Sequence, residues 1–261
     1  MLRKYSSFRS LSDNIKLGSL TAFSAGMVNV ISVIAFFAFT SNVTGHYAIL
    51  AQEIAKGNWY QAAIVFVWIS LFFLGNFASN LMIIHNNKQE DRYKAHALPL
   101  AVEILCLLGV GLYMQFYYSE TLQETETLVA ILLFAMGLQN GLTASISNSA
   151  VKTTHLTGLT TDLGILFSMF TKKEFRSDKA LLDKARLLLC IMVSYMTGGI
   201  ISGVIYYELN SMAFFVVCFV LCIVMFYDYY HLKVTKGKGS SAGLVHEQLT
   251  GATLEAQKGN I

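Results

Sequence analysis

Apolar and polar positions divide this chain into six long apolar runs, 17–39, 61–84, 97–117, 127–147, 187–207 and 211–231, separated by shorter polar segments. A helix needs about 20 residues to cross a hydrocarbon core of about 30 Å. Each run meets that length, so the pattern predicts six transmembrane helices. Two polar interruptions stand out. SNVTGHYAILA follows the first run at 41–51, and THLTGLTTDLG follows the fourth at 154–164.

Aligning the two interruptions sets Thr44-Gly45 on Thr157-Gly158 and Asn42 on His155. Their surroundings also agree. AGMVNVIS (25–32) precedes one and MGLQNGLTAS (136–145) the other, which places Asn29 opposite Asn140. LGNFASN (74–80) then corresponds to TGGIISG (197–203), with Gly75 on Gly198 and Ser79 on Ser202. Each half therefore holds three predicted spans, an odd number, so the halves enter the membrane in opposite directions. The expected fold is an all-α integral membrane protein with six transmembrane helices in two inverted three-helix repeats, 17–117 and 127–231. Each repeat carries a Thr-Gly segment that is re-entrant, a broken helix, or a flat cap on a loop. A basic arm (1–16) and a polar tail (232–261), rich in Gly, Ser, Lys and Gln and expected to be disordered, flank them.

Composition agrees with this division. Hydrophobic residues make up 54% and charged residues 13%, against roughly 25% charged in soluble domains. Lys and Arg concentrate on the cytoplasmic side of membrane proteins. Eighteen of the 19 fall in the N-terminal arm, the second loop, the fourth loop and the C-terminal tail, and only Lys56 falls elsewhere. Both termini are thus expected in the cytoplasm, with the chain in the plasma membrane of a bacterium, its inner membrane. Trp59, Tyr60, Tyr117, Tyr118, Tyr206 and Tyr207 suit the outer headgroup level, where such side chains concentrate. The first run is too long for a signal-peptide core and lacks a convincing cleavage site before Thr40, so it is expected to be retained. The net charge of +3 follows from the loops and does not point to nucleic acid.

Thr and Gly at the start of a short helix have a plain use. Thr caps the first free N–H groups, and Gly allows a tight turn or a close approach. A helix starting inside a bundle would aim its positive end at a polar or anionic guest. The residues expected to bind a solute are Asn29, Asn42, Thr44, Gly45, His46, Asn140, Lys152, His155, Thr157, Gly158 and Asp162. Interhelical hydrogen bonding would explain the asparagines equally simply. Glu103, the one carboxylate clearly inside a run, is the gating or coupling candidate. It would lie about 6–9 Å below a helix start near Pro99, with Lys152 a partner. Gly75, Ser79, Gly137, Gly141, Gly199 and Gly203 read as sites of close helix packing.

Cys106, Cys190, Cys218 and Cys222 show no metal-type spacing, and no nucleophile elbow, phosphate loop or dinucleotide fingerprint is present. The chain is therefore expected to be no enzyme and to need no metal and no cofactor. Its expected partners are the lipid bilayer and an unknown small solute, with self-association left open and nucleic acid excluded. A transporter or channel-like permease is the leading reading. A scaffold or sensor that binds a lipid or a protein is the other.

AGMVNVISVIAFFAFTSNVTGH (25–46), GLQNG with VKTTHLTGLTTDLG (137–164) and the Glu103 position together resemble the YoaK-type family of small multi-pass membrane proteins. That resemblance implies an integral membrane protein and supplies no substrate.

Overall fold

The computed structural model describes residues 10–85 and 92–226. The basic arm before Ser10, Lys88, the end of the sixth run at 227–231 and the tail 232–261 lie outside the described residues. Among the described residues every regular element is helical: α1 (Leu11–Phe36), α2 (Val43–Ala55), α3 (Trp59–His85), α4 (Arg92–Phe116), α5 (Leu122–Ser147), α6 (Leu156–Met169), α7 (Lys173–Arg176), α8 (Lys179–Leu209) and α9 (213–226). The chain divides into two compact units, Met1–Cys222 and Ile223–Ile261. Of the second, residues 223–226 are described, as helix.

Capping sets where the two central helices begin and end. Ser10 Oγ accepts from the Asp13 N–H (3.2 Å), and Asp13 Oδ2 accepts from the Ser10 N–H (3.1 Å). Thr121 and Glu124 form the same reciprocal pair at the head of α5, at 3.3 and 3.1 Å. Such boxes satisfy N–H groups that have no partner within the helix. For this reason α1 starts at Leu11 and α5 at Leu122, before their apolar runs. Each helix has 26 residues and ends on a residue in the left-handed region, Phe37 (φ 54°) and Asn148 (φ 53°). Ser10 and Thr121, Asp13 and Glu124, and Phe37 and Asn148 are all 111 positions apart.

Five helical stretches among the described residues are long and apolar enough to cross a membrane: Leu11–Phe36, Trp59–His85, Tyr93–Phe116, Leu122–Ser147 and Lys179–Phe226. Their outer faces are apolar. Phe66, Phe73, Leu105, Ile200 and Phe219 are each at least 60% exposed, the distribution expected of a surface that meets lipid. The last stretch is not one rod. Asn210 takes φ 50° and ψ −128°, which no helix permits, and a short turn at Asn210–Met212 follows. Beyond it Ser211 Oγ donates to Gln115 Oε1 (2.6 Å), Phe214 lies at Gly111, and Cys218 Sγ donates to the Ile104 carbonyl (3.8 Å). The numbers run in opposite senses, so α9 returns antiparallel to α4.

Two helix crossings hold the bundle together, and they have the same layout. In α1 and α8, a Cβ on Gly26 would strike the Tyr195 carbonyl oxygen, and one on Gly198 the Phe23 carbonyl oxygen. In α5 and α3, a Cβ on Gly137 would strike the Phe72 carbonyl oxygen, and one on Gly75 the Phe134 carbonyl oxygen. Small residues at such points let backbones touch, which is what drives association where lipid removes the hydrophobic advantage. Ser202 Oγ donates to the Met27 carbonyl (3.2 Å) at the first crossing. At the second, a Cβ on Gly141 would meet Asn76 Cα at 2.8 Å and Ser79 Cβ at 3.1 Å.

Contacts along each pair rise together. They run from Gly18–Ile191 to Met27–Ser202 in one pair and from Trp68–Glu126 to Asn80–Ser145 in the other, so both pairs are parallel. A Cβ on Gly199 would meet Val30 Cγ2 at 2.8 Å, whereas one on Gly203 would find its nearest atom at 3.5 Å. Gly203 therefore lies in ordinary contact and has room for a methyl group.

Helices α1 and α5 meet between these crossings and run antiparallel. Gly18 lies beside Val151, and the Phe36 ring stands edge-on to Tyr118 with centroids 5.9 Å apart. Ala25, Met27 and Val28 of α1 and Ala135, Met136 and Leu138 of α5 are buried at 0–1% exposure. The Gln139 amide donates to the Thr21 carbonyl (2.9 Å) and to Ser24 Oγ (2.6 Å). The middle of the bundle is filled.

Candidate functional site

Each long helix that precedes a Thr-Gly segment carries one asparagine that holds the linker behind it. Asn29 Oδ1 accepts from the Thr40 N–H (3.0 Å), Thr40 Oγ1 (3.3 Å) and Ser41 Oγ (3.1 Å), and Tyr195 shares hydrogen bonds with Asn29 and Ser41. Asn140 Oδ1 accepts from Thr154 Oγ1 (3.1 Å), while its Nδ2 donates to Asn76 Oδ1 (3.3 Å). Irregular backbone needs such partners where water is scarce. Asn29→Leu leaves the buried Thr40 N–H without an acceptor and is expected to cost about 1–3 kcal/mol. Asn29→Asp keeps an oxygen there and should cost less. Thermal unfolding of the purified chain compares the two.

The Thr-Gly segments start α2 and α6, and their caps differ. Asn42 Oδ1 accepts from the Gly45 N–H (3.2 Å), whereas His155 makes no capping bond and its ring lies over Gly158, where a Cβ would come within 2.7 Å of Nδ1. Thr44 and Thr157 are exposed. α2 lies on α3, and α6 lies on α8. Since α1 and α5 are antiparallel, the two segments sit at opposite ends of the bundle and share no central site. His46 is buried in the first, with Nε2 2.9 Å from the Phe39 carbonyl and its ring edge-on to Trp68, centroids 5.5 Å apart. At the same end Lys56 pairs with Glu53 (2.9 Å), and Lys56 and Asn58 hold the Glu53 carboxyl below the usual carboxylate range.

Four of the expected solute ligands do come together. Lys152, His155, Gly158 and Asp162 line one cavity of about 480 Å³ at the end of the bundle where α5 finishes and α8 begins, and Asp183 and Lys184 complete its polar wall. Its floor is Leu187, Leu188 and Ile191. Lys184 Nζ lies 2.9 Å from Asp162 Oδ2, with the side chains 52% and 44% exposed, so solvent screens the pair and it adds little stability. Lys152 and Asp183 have no ion-pair partner among the described residues. The cavity gains its wall from α8, which has 31 residues. At the α-helical rise such a helix is about 46 Å long, more than the hydrocarbon core requires. The signal that could have revealed Asp183 and Lys184 is the polar turn in LLDKARLLL, where charges sit at the head of an apolar run.

A second cavity of about 600 Å³ lies between α4 and α5. Its carboxylate is already committed. Glu124 accepts from Tyr113 Oη (2.8 Å), the Ser119 and Thr121 N–H groups (3.2 and 3.1 Å) and Thr121 Oγ1 (2.7 Å). Those bonds close the α4–α5 turn and account for the carboxylate without a guest. No group of three His, Cys, Asp or Glu side chains among the described residues has the arrangement of a metal site.

Glu103 stands elsewhere than the sequence pattern places it. α4 begins at Arg92, so Pro99 is inside the helix. With a rise of about 1.5 Å per residue, Glu103 lies about 16 Å from the helix start, well beyond the expected depth of about 6–9 Å. Both carboxyl oxygens are buried, without a hydrogen-bond partner among the described residues. The expected pairing with Lys152 does not form, since Lys152 lies on the cavity wall.

A family model described as "Protein of unknown function (DUF1275)" matches residues 17–227. No curated protein and no solved structure matches the chain.

Proposed function

The chain belongs to the DUF1275 family, and on that premise we propose that it is a small-solute permease. Six membrane crossings would form two inverted three-helix repeats in a bacterial inner membrane, with both termini cytoplasmic. A sixth crossing is supported by the break at Asn210 and the antiparallel return of α9 along α4. The apolar stretch Lys179–Phe226 has 48 residues. As a single rod it would be about 72 Å long, over twice the hydrocarbon thickness. The inverted repeat is supported by the paired glycine crossings and by the capping boxes 111 positions apart. Basic loops beside the α6–α8 end favour the cytoplasm there.

One observation carries the solute site: Lys152, His155, Gly158, Asp162, Asp183 and Lys184 gather round one open cavity. Concave sites with a few convergent polar groups on an apolar floor are where small ligands bind. At the other end His46 and Trp68, in positions matched by Leu159 and Ile191 of the second half, pack ring against ring, and an asymmetry of this kind suits a permease open to the cytoplasm. The test is uptake into proteoliposomes across a panel of metabolites. For a transported solute, Lys152→Ala is expected to cut uptake about tenfold or more, as loss of a charged contact does, and Gly203→Ala to leave it unchanged. No uptake of any solute, or equal uptake by the Lys152 variant, would sink the proposal.

The filled centre at Gln139 and Met136 favours a second reading, a sensor that binds its ligand without passing it. Saturable binding with no flux in the same vesicles would select it.

A further inference from the structure

Resting on the reading of this cavity as a solute site, we infer that its ligand is a small zwitterion, a molecule carrying one carboxylate and one ammonium group, as an α-amino acid does. The cavity wall holds two cations and two anions, so its formal charge is zero apart from His155. Lys184 and Asp162 already satisfy each other at 2.9 Å. Lys152 and Asp183 remain, opposite in sign and without ion-pair partners among the described residues. Both are hydrated while the cavity is open. Once a guest displaces that water, each charge needs a partner, because a desolvated charge left alone is costly.

A simple anion answers Lys152 and leaves Asp183 alone. A simple cation does the reverse. Only a guest with both charges satisfies the two together. The carboxylate end has further support. α6 begins at the cavity with no side-chain cap, unlike α2, where Asn42 takes the Gly45 N–H. Its first turn lines the cavity through Gly158, on the wall that also holds Lys152, and a helix start nearby favours an anionic group there. The apolar floor of Leu187, Leu188 and Ile191 suits a guest with an aliphatic side chain.

The test measures binding by calorimetry and thermal shift on the full purified chain. The probes are L-leucine, L-valine and L-alanine, each with its N-acetyl and methyl-ester derivatives, plus acetate and methylamine. At least one free amino acid is expected to bind, with its N-acetyl and ester forms at least about tenfold weaker. Lys152→Met and Asp183→Asn are each expected to weaken the free amino acid while changing one blocked form less than the other: Lys152→Met spares the ester, and Asp183→Asn spares the N-acetyl form. Equal binding of a blocked form, or of acetate or methylamine alone, overturns the zwitterion inference and leaves the solute site standing. If none of these probes binds, the inference falls. If, in addition, Lys152→Met and Asp183→Asn alter no flux in the vesicle panel, the solute-site reading falls with it.

Discussion

Gly26→Val and Gly137→Val are each expected to abolish the folded protein. At both positions even a methyl group would strike a backbone carbonyl oxygen, of Tyr195 for Gly26 and of Phe72 for Gly137. A clash with a side chain can be relieved by a new rotamer, but a clash with backbone moves a whole helix. Overpacking a well-filled core costs about 1–3 kcal/mol where neighbours yield. Here they cannot, and the cost is set against a total stability of only about 5–15 kcal/mol. Two controls bound the claim. A Cβ on Gly203 finds its nearest atom at 3.5 Å, and one on Gly109 finds nothing within 4 Å. Alanine at either position should therefore change stability by no more than about 0.5 kcal/mol, or add slightly through helix propensity. Size-exclusion profiles and thermal unfolding in detergent give the readout. The two valine variants should fail alike, because the crossings are equivalent. A folded Gly137→Val beside an unfolded Gly26→Val would break that equivalence.

Glu103→Met is expected to raise thermal stability by several degrees. Charged or neutral, the carboxyl leaves two buried oxygens with no hydrogen bond among the described residues. Neutral unsatisfied groups cost about 1–3 kcal/mol and charged ones more. Met has similar length and no such demand. Glu103→Gln should gain far less, since its carboxamide would be equally unsatisfied. A drop in stability with Met would show that the carboxyl has a partner. If uptake also falls in the stabilised variant, the carboxyl is retained for function, as ionisable groups inside membrane spans commonly are.

Much of this architecture is legible in one dimension because membrane crossing is a local demand. Any segment in lipid must satisfy its backbone within itself and present apolar side chains, and both properties show in a run of about 20 residues. The repeat is legible for a related reason. Thr44-Gly45 and Thr157-Gly158, Asn29 and Asn140, and Gly75 and Gly198 answer the same local needs twice. Ser10-x-x-Asp13 and Thr121-x-x-Glu124 are equally readable as capping boxes. The first turns of α1 and α5 are nonetheless polar and look like loop, so hydropathy places both helix starts too late. Pro99 misleads in the same direction: a proline reads as a helix start, yet α4 carries it two turns inside.

The sequence by itself determined the helical class, the apolar spans, the charge asymmetry of the loops and the doubled Thr-Gly pattern, since each depends on neighbours within a few turns. Tertiary structure alone decided which helices touch. α1 pairs with α8, and α3 with α5, so each half supplies one helix to the other's crossing. It also decided that the Thr-Gly segments lie apart, that the centre is filled, that Glu103 has no hydrogen-bond partner among the described residues, and that Asp183 and Lys184 join Lys152, His155 and Asp162. The reason is physical. An apolar helix has several faces suited to packing, and its partner is chosen by fit over distances that no local pattern records.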